Sequence, residues 1–287
     1  MAKIEVLSPG LFSTIQDLGR YNFRKFGVPI SGAMDKYSAK MANLILQNFE
    51  DCAVMEITQM GPKLKFHSPT KIGITGANLS PRINNQEIQN DQVYFLLEGD
   101  VLSFGKRVNG CRTYLSISGG FQTETILDSK SWYEGISENI KLEKGMSLHF
   151  KDLDLEEDKT NASVKVNNKH ILETTIEVEE GPEFYKLPTS TKEELKNRLF
   201  KIDKNNSRMA IQLTEKLKNE FLPIITSPVV PGTVQLTPSG NLIVLMRDCQ
   251  TTGGYPRILQ LTEKGINTIS QKIIGDQITF NLKDSGN

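Results

Sequence analysis

The stretch from residue 242 to residue 257 holds the side chains best suited to bind a small polar molecule. An apolar segment is followed at once by charged, amide, hydroxyl and glycine residues: Leu242–Met246, then Arg247, Asp248, Gln250, Thr251, Thr252, Gly253, Gly254 and Tyr255. Binding residues are often carried on loops held by rigid strands. Adjacent glycines allow close backbone approach to a ligand, and successive N–H groups can form an anion-binding nest. The pattern fits both a binding loop and a hairpin with a polar tip.

Two further segments place charged side chains at predicted turns. Gln16–Arg20 ends in a guanidinium that could hold a substrate carboxylate in a bidentate fork. Pairing of Arg20 with Asp17 at the surface is the simpler interpretation. Ser31–Asp35 leads into a predicted helix, whose N-terminus attracts anions. Asp35 would repel an anion there, so helix capping and site involvement both stay open for it.

The cysteines and histidines predict neither a nucleophile nor a metal site. Three widely spaced cysteines, Cys52, Cys111 and Cys249, indicate reduced thiols in a cytoplasmic protein. Cys249 lies in the polar run, but no histidine is close in sequence to act as its base, so we interpret it as a structural thiol. The three histidines show no metal-ligand spacing. The sequence therefore leaves the catalytic residues unknown and predicts no metal.

Charge and hydropathy narrow the class of partner. The 287 residues include 34 basic and 34 acidic side chains, which argues against a nucleic acid or an anionic membrane as partner. No apolar stretch approaches the length of a membrane span. A chain of this length predicts two domains, or one large β-rich domain.

Short strands dominate the elements that must position these side chains. A pattern of glycine, two residues, an aliphatic residue, one residue and phenylalanine begins at Gly61, Gly99, Gly145 and Gly275. Strand alternation would put the aliphatic residue and the phenylalanine on one buried face after a turn glycine. The fourfold recurrence suggests two related β units.

Two helices and one linker complete the prediction. Asp35 is expected to cap a helix over roughly Lys36–Leu46. Thr191 and Glu194 form a predicted capping box for a second helix. The charged, asparagine-rich segment Lys151–Glu173 is predicted to be a linker.

Two long blocks carry a family resemblance. Gly10–Arg20 (GLFSTIQDLGR) continues in Gly27–Asp35 (GVPISGAMD), and the second block is Val230–Arg257. They resemble the carboxyltransferase family that includes allophanate hydrolase subunit 2, the carboxyltransferase part of urea amidolyase and the C subunit of 5-oxoprolinase. The resemblance implies a mostly β chain with a few helices, built of two cyclophilin-like β-barrel units. We expect these units at residues 1–155 and 170–287, with exchange of segments between them possible.

The resemblance also implies a function. It indicates the C subunit of an ATP-dependent 5-oxoprolinase, a hydrolase that opens 5-oxoproline to glutamate together with its A subunit and its B subunit, the latter similar to allophanate hydrolase subunit 1. The chain alone would be inactive, and ATP would bind at the level of the complex. Substrates of the family share an N–C=O group, with which a glutamine carboxamide can pair without charge. The expected substrate-binding residues are Gln235, Gln250, Thr251, Thr252, Gly253, Gly254, Tyr255, Arg208, Arg20 and Asp35.

One expected contact and two departures from the family pattern bear on these substrate-binding residues. A hairpin is expected to bring Gln235 near Gln250 across the ladder. The chain departs from the family at Leu127–Tyr133, where a Gly-Ser-[KR]-Ser-Thr type of segment is usual. It departs again at Gln212, which replaces an arginine, so Arg208 would have to hold any carboxylate or phosphate alone.

The sequence is also compatible with two other functions. The chain could be a carboxyltransferase for urea or a similar amide, with biotin supplied by another chain. It could also be a non-enzymatic regulatory partner of the sister B subunit. The segment Gly99–Arg107 is not a phosphate loop, because its spacing is one residue too long and Arg107 replaces the hydroxyl residue.

Overall fold

The structure is a computed structural model that describes residues 2–151 and 164–283. The chain divides into two compact units. The first comprises Met1–Arg20 and Ser31–Ile171, and the second comprises Tyr21–Ile30 and Leu172–Asn287. A ten-residue segment from the N-terminal part of the chain thus belongs to the second unit. Among the described residues, none of the helices has the length and apolar character needed to span a bilayer.

Eleven strands form the first unit over its described residues: β1 (Ala2–Ser8), β2 (Phe12–Gln16), β3 (Val54–Thr58), β4 (Lys63–Phe66), β5 (Thr70–Asn78), β6 (Pro81–Ile83), β7 (Gln86–Glu87), β8 (Val93–Leu96), β9 (Val101–Phe104), β10 (Asn109–Ile117) and β11 (Ser147–Phe150). They make a six-stranded sheet in the order β11-β1-β4-β9-β6-β7 and a five-stranded sheet in the order β2-β3-β10-β5-β8. Inward side chains of both sheets join in one apolar core.

The recurring glycine pattern explains how four strands begin. β4, β9 and β11 each start two residues after the pattern glycine, and Gly99 and Gly145 have positive φ angles. The aliphatic residue is buried in each strand, and the phenylalanine is buried or packed against the core. The last instance, at Gly275, behaves in the same way in the second unit. The expected common buried face is confirmed.

One helix, α1 (Lys36–Ile45), packs on the five-stranded sheet of the first unit. Asp35 caps it, because its carboxylate accepts a hydrogen bond from the backbone N–H of Ser38. The buried side of α1 is formed by small and polar residues, and Ala39 and Ala42 meet Tyr114 in a small apolar cluster. The predicted helix and its cap are confirmed.

The second unit is a closed barrel of seven strands in the order β12-β19-β16-β17-β14-β13-β20. Its strands are β12 (Thr175–Glu180), β13 (Phe200–Asn206), β14 (Ala210–Lys216), β15 (Ser227–Pro228), β16 (Thr233–Leu236), β17 (Asn241–Leu245), β18 (Thr252–Gly253), β19 (Arg257–Leu261) and β20 (Gln277–Leu282), of which β15 and β18 form a separate pair. The prediction of a mostly β chain with a few helices is confirmed.

The predicted linker lies partly outside the described residues, at 152–163. The part from 164 onward includes the short helix α2 (Lys169–Leu172). Tyr37 accepts a hydrogen bond from the backbone N–H of Asn167 at 2.9 Å, and Asn168 Nδ2 lies 2.5 Å from Asp91 Oδ2. Residues 164–171 are therefore not a linker, because they belong to the first unit and bind to it through the backbone of Asn167 and the side chain of Asn168.

Two helices accompany the barrel, and both differ from expectation. In α3 (Thr189–Asn197) the capping residue is Pro188, with no side-chain cap bond, so the predicted Thr191–Glu194 capping box is wrong. The helix begins earlier, and Thr191 is buried within it. The helix α4 (Glu263–Ser270), which Thr262 caps, was not predicted from the sequence. Ile266 and Ile269 are its only large apolar residues, so its helical periodicity is weak.

Candidate functional site

The polar run begins at a buried ion pair in the second unit. After β17, the backbone N–H groups of Met246 and Asp248 bind the carbonyls of Met209 and Arg208 at 2.8 and 3.0 Å. The Arg208 guanidinium donates to both carboxylate oxygens of Asp248, from Nε at 2.7 Å and from Nη2 at 3.1 Å. Both side chains are only 9% exposed. Arg208, expected to bind substrate, thus holds the chain at the start of the run.

Residues 250–255, here called the glycine loop, lie against residues 224–229, here called the strap. β15 of the strap pairs with β18 of the loop, with Ser227 opposite Gly253 and Pro228 opposite Thr252. The N–H of Val229 binds the Thr251 carbonyl at 3.1 Å, and the N–H of Ile224 binds the Gly254 carbonyl at 2.9 Å. Backbone pairing therefore fixes the loop along most of its length.

The two glycines of the loop do not adopt the αR-αL conformation of one type of anion-binding nest. Neither Gly253 nor Gly254 has a positive φ angle. A Cβ at Gly253 would lie 2.4 Å from Nε2 of Gln235, so a larger residue there would have to displace the Gln235 side chain. Gln235 is 2% exposed, and its Nε2 donates to the Tyr255 carbonyl at 3.4 Å. Gln235 thus supports the loop from beneath.

Gln235 and Gln250 are not ladder neighbours. In β16, Gln235 pairs with Ile243 of β17 on one side and with Arg257 of β19 on the other. Gln250 follows five residues after the end of β17 and is exposed. The expected approach of the two glutamines across the ladder is wrong, because the strand ends before it reaches Gln250.

Several loop side chains face solvent. Gln250 and Thr252 are exposed, Thr251 is half-buried and Tyr255 is 38% exposed. Together they offer a carboxamide and three hydroxyl groups on a backbone that the strap holds in place. Such groups can donate to and accept from a neutral N–C=O group.

Cys249 lies just before the loop and does not have the properties of a nucleophile. It is 3% exposed and packs with Val229 and Leu245. Burial raises the pKa of its thiol to about 11. Since the thiolate is the reactive form, a thiol of this kind is inert near neutral pH.

A second ion pair anchors the other end of the loop. Arg257 donates to Glu183 from Nε at 3.0 Å and from Nη2 at 2.8 Å, and its Nη1 donates to the Pro228 carbonyl of the strap. The hydrogen bonds from Arg257 lower the pKa of Glu183 below its ordinary value. The loop therefore lies between two arginine–carboxylate pairs.

Asp35 of the first unit has a different environment. It is fully buried, and its Oδ2 lies 2.6 Å from Ser38 Oγ and 2.7 Å from His170 Nε2, while its Oδ1 accepts from the Ser38 N–H at 3.0 Å. The ring of Tyr37 meets His170 edge-on at 5.2 Å. The carboxylate thus joins the start of α1 to the segment that carries His170.

A second carboxylate continues this network. Glu56 Oε2 accepts from the backbone N–H of Met34 at 2.7 Å and from the Tyr114 hydroxyl at 2.8 Å, and Oε1 lies 3.8 Å from Nε of Arg112. Burial, and then the nearby carboxylates, raise the pKa of Tyr114 well above its ordinary value. Tyr114 therefore keeps its proton and acts as a hydrogen-bond donor.

Arg20 and Asp17 both bind the segment 126–131. Arg20 is fully buried and donates to the carbonyls of Ile126 and Ser131 at 3.2 and 2.5 Å. Asp17 accepts from the hydroxyls of Ser129 and Ser131 at 2.8 and 2.6 Å. The surface ion-paired turn expected here is wrong, because Arg20 is buried against backbone carbonyls.

The departure from the family pattern at Leu127–Tyr133 has a local consequence. Leu127 and Asp128 have φ angles of 53° and 59°, a region that favours glycine. Hydrogen bonds between the backbones of Ile126 and Ser129 close the turn. The segment thus keeps a left-handed turn although a leucine stands in it.

Sequence reasoning missed two residues that the fold brings to these regions. His170 reaches Asp35 across 135 residues of chain, and it appeared in the sequence as an isolated histidine in a charged segment. Arg24, in a 3-10 helix over Arg24–Phe26, donates from Nη2 to the carbonyls of Val229 and Thr251. The only available signal for Arg24 was its place between the two halves of the first family block. Within the described residues, no group of three or more histidine, cysteine or acidic side chains could hold a metal ion.

The family model for the carboxyltransferase domain, subdomain A and B, matches residues 26–282. The chain therefore belongs to this family. It is 28% identical to the C subunit of 5-oxoprolinase from Haemophilus influenzae, over 96% of this chain and 90% of that protein. It is 34% identical to urea amidolyase of Saccharomyces cerevisiae, over 73% of this chain and 12% of that protein.

Among solved structures, the chain is similar to the urea carboxylase of Kluyveromyces lactis. The TM-score is 0.86 with 28% identity, and the match covers 97% of this chain and 27% of that one. The chain thus corresponds to a small part of both yeast enzymes, and to most of the length of the bacterial protein.

Proposed function

We propose that the chain is the C subunit of an ATP-dependent 5-oxoprolinase, which opens 5-oxoproline to glutamate together with its A and B subunits. The observation that carries this proposal is the similarity to the C subunit of the Haemophilus influenzae enzyme, which extends over 96% of this chain and 90% of the relative. The glycine loop is the proposed place of substrate binding.

The chemistry of the loop suits a lactam. The substrate amide is neutral, so Gln250, Thr251 and Thr252 can hold it by hydrogen bonds without a charged partner. A lactam carbonyl is a poor electrophile. Transfer of the terminal phosphoryl group of ATP to its oxygen, with release of ADP, would activate the carbon for attack by water. Cleavage of the C–N bond would then leave an acyl phosphate, which a second water would hydrolyse to glutamate and phosphate. In this proposal ATP binds at the level of the complex, and no residue of this chain is assigned to it.

The test is reconstitution. The chain is purified with its sister A and B subunits, and glutamate release from 5-oxoproline is measured with and without ATP. We expect ATP-dependent release from the complex and none from the chain alone. Release of glutamate by the chain alone would contradict the expected division of work, and an inactive complete complex would contradict the proposal itself.

A second candidate is a carboxyltransferase acting on urea or a similar amide. The identity of 34% to urea amidolyase over 73% of the chain favours it. Biotin would then come from another chain. Urea-dependent consumption of a carboxyl group from carboxybiotin, with no turnover of 5-oxoproline, would decide for this alternative.

A further inference from the structure

Arg24 joins the strap to the glycine loop within the second unit. Its Nη2 donates to the carbonyl of Val229, at the end of the strap, and to that of Thr251 in the loop at 3.2 Å. These two carbonyls lie on the paired backbones next to β15 and β18. The guanidinium is therefore held in a fixed orientation beside the candidate binding residues.

Arg24 differs from the other arginines of this unit in its charge balance. Each of the other four pairs with a carboxylate: Arg198 with Glu194, Arg208 with Asp248, Arg247 with Glu263, and Arg257 with Glu183. Within the described part of the chain, Arg24 binds only neutral carbonyls. None of the described carboxylates therefore forms an ion pair with this guanidinium next to the glycine loop.

The charge of Arg24 acts on Cys249, the residue directly before the glycine loop. Burial is the larger influence on Cys249 and raises the pKa of that thiol, whereas the charge of Arg24 acts in the opposite direction and lowers it. Arg24 itself is only half-buried. Its Nε and Nη1 make no hydrogen bond to any described residue, so their N–H groups remain available to a ligand.

These features fit an anionic group on the ligand. A guanidinium forms strong charge-assisted hydrogen bonds with a carboxylate. Two carbonyls already orient Arg24, which reduces the entropy lost on binding. The arginine expected for this role in the second unit, Arg208, is occupied by Asp248.

We propose that Arg24 binds the carboxylate of the substrate, while the side chains of the glycine loop bind its amide. This inference rests on the proposed function above, and it identifies the substrate class as a small lactam or amide that also carries an acid group. Arg24 would then distinguish such substrates from neutral amides of the same ring size.

The test compares two ligands with the same lactam ring. 5-Oxoproline carries the carboxylate, and 2-pyrrolidinone lacks it. In the assembled complex, Arg24→Gln should raise the KM for 5-oxoproline by about tenfold or more. The inhibition constant of 2-pyrrolidinone as a competitor should stay within about twofold of the wild-type value. Arg24→Lys should give an intermediate KM, because it keeps the charge but not the fork.

Lys25→Gln is the matched control. Lys25 lies in the same 3-10 helix, is exposed and has its ammonium 5.1 Å from the ring centre of Phe26. Removing this charge should change neither constant. If Arg24→Gln weakened both ligands equally and lowered the melting temperature, Arg24 would only hold strap and loop together, and the proposal would be overturned. An unchanged KM for 5-oxoproline would overturn it as well.

The two proposals can fail separately. If the wild-type complex releases no glutamate, the proposed function fails, and the role of Arg24 is then measured by calorimetric titration of the isolated chain with the same two ligands. Tighter binding of 5-oxoproline than of 2-pyrrolidinone, lost in Arg24→Gln, would support a carboxylate site. No preference for the carboxylate would overturn it.

Discussion

Asp35 and Gln250 both lie in stretches that most resemble the family, yet their surroundings are opposite. Asp35 is fully buried and its carboxylate contacts Ser38 and His170. Gln250 is exposed on a loop whose backbone, rather than its side chains, is fixed by the strap. The same kind of sequence signal therefore marks two kinds of region, one in which polar side chains hold the fold and one in which they face solvent.

These two environments differ in what a substitution does to the fold and to a bound ligand. A buried carboxylate with several hydrogen bonds stabilises its surroundings, and its removal leaves buried donors without an acceptor. An exposed carboxamide on a fixed backbone costs the fold little and keeps its hydrogen-bonding groups for a ligand. Substitution of Asp35 should therefore lower the stability of the fold. Substitution of Gln250 should lower the activity and leave the stability unchanged.

The largest expected effect is that of Asp35→Ala. This change removes the helix cap, worth about 1 kcal/mol, and leaves Ser38 and His170 without their acceptor at a cost of about 1–3 kcal/mol each. We expect the free energy of unfolding to fall by about 3 kcal/mol or more, measured by urea denaturation. Asp35→Asn keeps an oxygen acceptor and should lose clearly less. Equal stability of Asp35→Ala and wild type would remove the contrast between the two regions.

The reverse behaviour is expected for Gln250→Leu. The substitution keeps the volume but removes both hydrogen-bonding groups. Turnover of the complex should fall by at least about tenfold, which corresponds to about 1.4 kcal/mol, while the melting temperature stays unchanged. Gln277→Leu is the matched control, because Gln277 is exposed at the start of β20. Unchanged turnover, or a loss of stability large enough to account for the lost activity, would assign Gln250 to the fold.

A smaller, pH-dependent effect is expected where an ion pair anchors the loop. Arg257 lowers the pKa of Glu183 below its ordinary value of 4.5. A depressed pKa in the folded state gives a stability that is present above the unfolded value and is lost as the pH falls through the folded value. Glu183→Gln should therefore reduce the free energy of unfolding by about 1 kcal/mol at pH 7. The difference from wild type should shrink as the pH is lowered below 4.5.

Glu180→Gln serves as the control for this measurement. Glu180 is exposed on β12, so its substitution should leave the pH profile of unfolding as it is in the wild type. A difference between Glu183→Gln and wild type that stays constant down to acidic pH would show that charge at Glu183 is not what stabilises the anchor.

The features predicted from the sequence depend on neighbours close in the chain. The strands that follow the four pattern glycines and the cap at Asp35 were predicted from local patterns, and all are present. The contacts that define the site depend on distant residues. Arg24 donates to carbonyls that lie 205 and 227 residues further along the chain. No local sequence pattern predicts a contact over such a separation.

Gly253 is a second residue whose contacts with distant residues could not be predicted from the local sequence. From the sequence, two adjacent glycines suggested close backbone approach to a ligand and N–H groups that can form an anion-binding nest. In the fold, the carboxamide of Gln235 packs closely on Gly253 and would lie 2.4 Å from a Cβ there. Close packing and backbone freedom both favour glycine, and only the fold distinguishes between them.

The smallest expected effect is that of substituting Cys249, which shares features with both regions. In sequence it belongs to the polar run, but it is buried with Val229 and Leu245. Because burial raises the pKa of its thiol to about 11, the reactive thiolate is nearly absent at neutral pH. Turnover of the complex with Cys249→Ser should stay within about twofold of wild type, since serine is a far weaker nucleophile. Cys249→Ala separates chemistry from packing, because it adds no polar group to the apolar cluster. If both variants remain folded and both lose turnover, Cys249 takes part in the reaction. Burial next to the glycine loop would then not be evidence that a residue is purely structural.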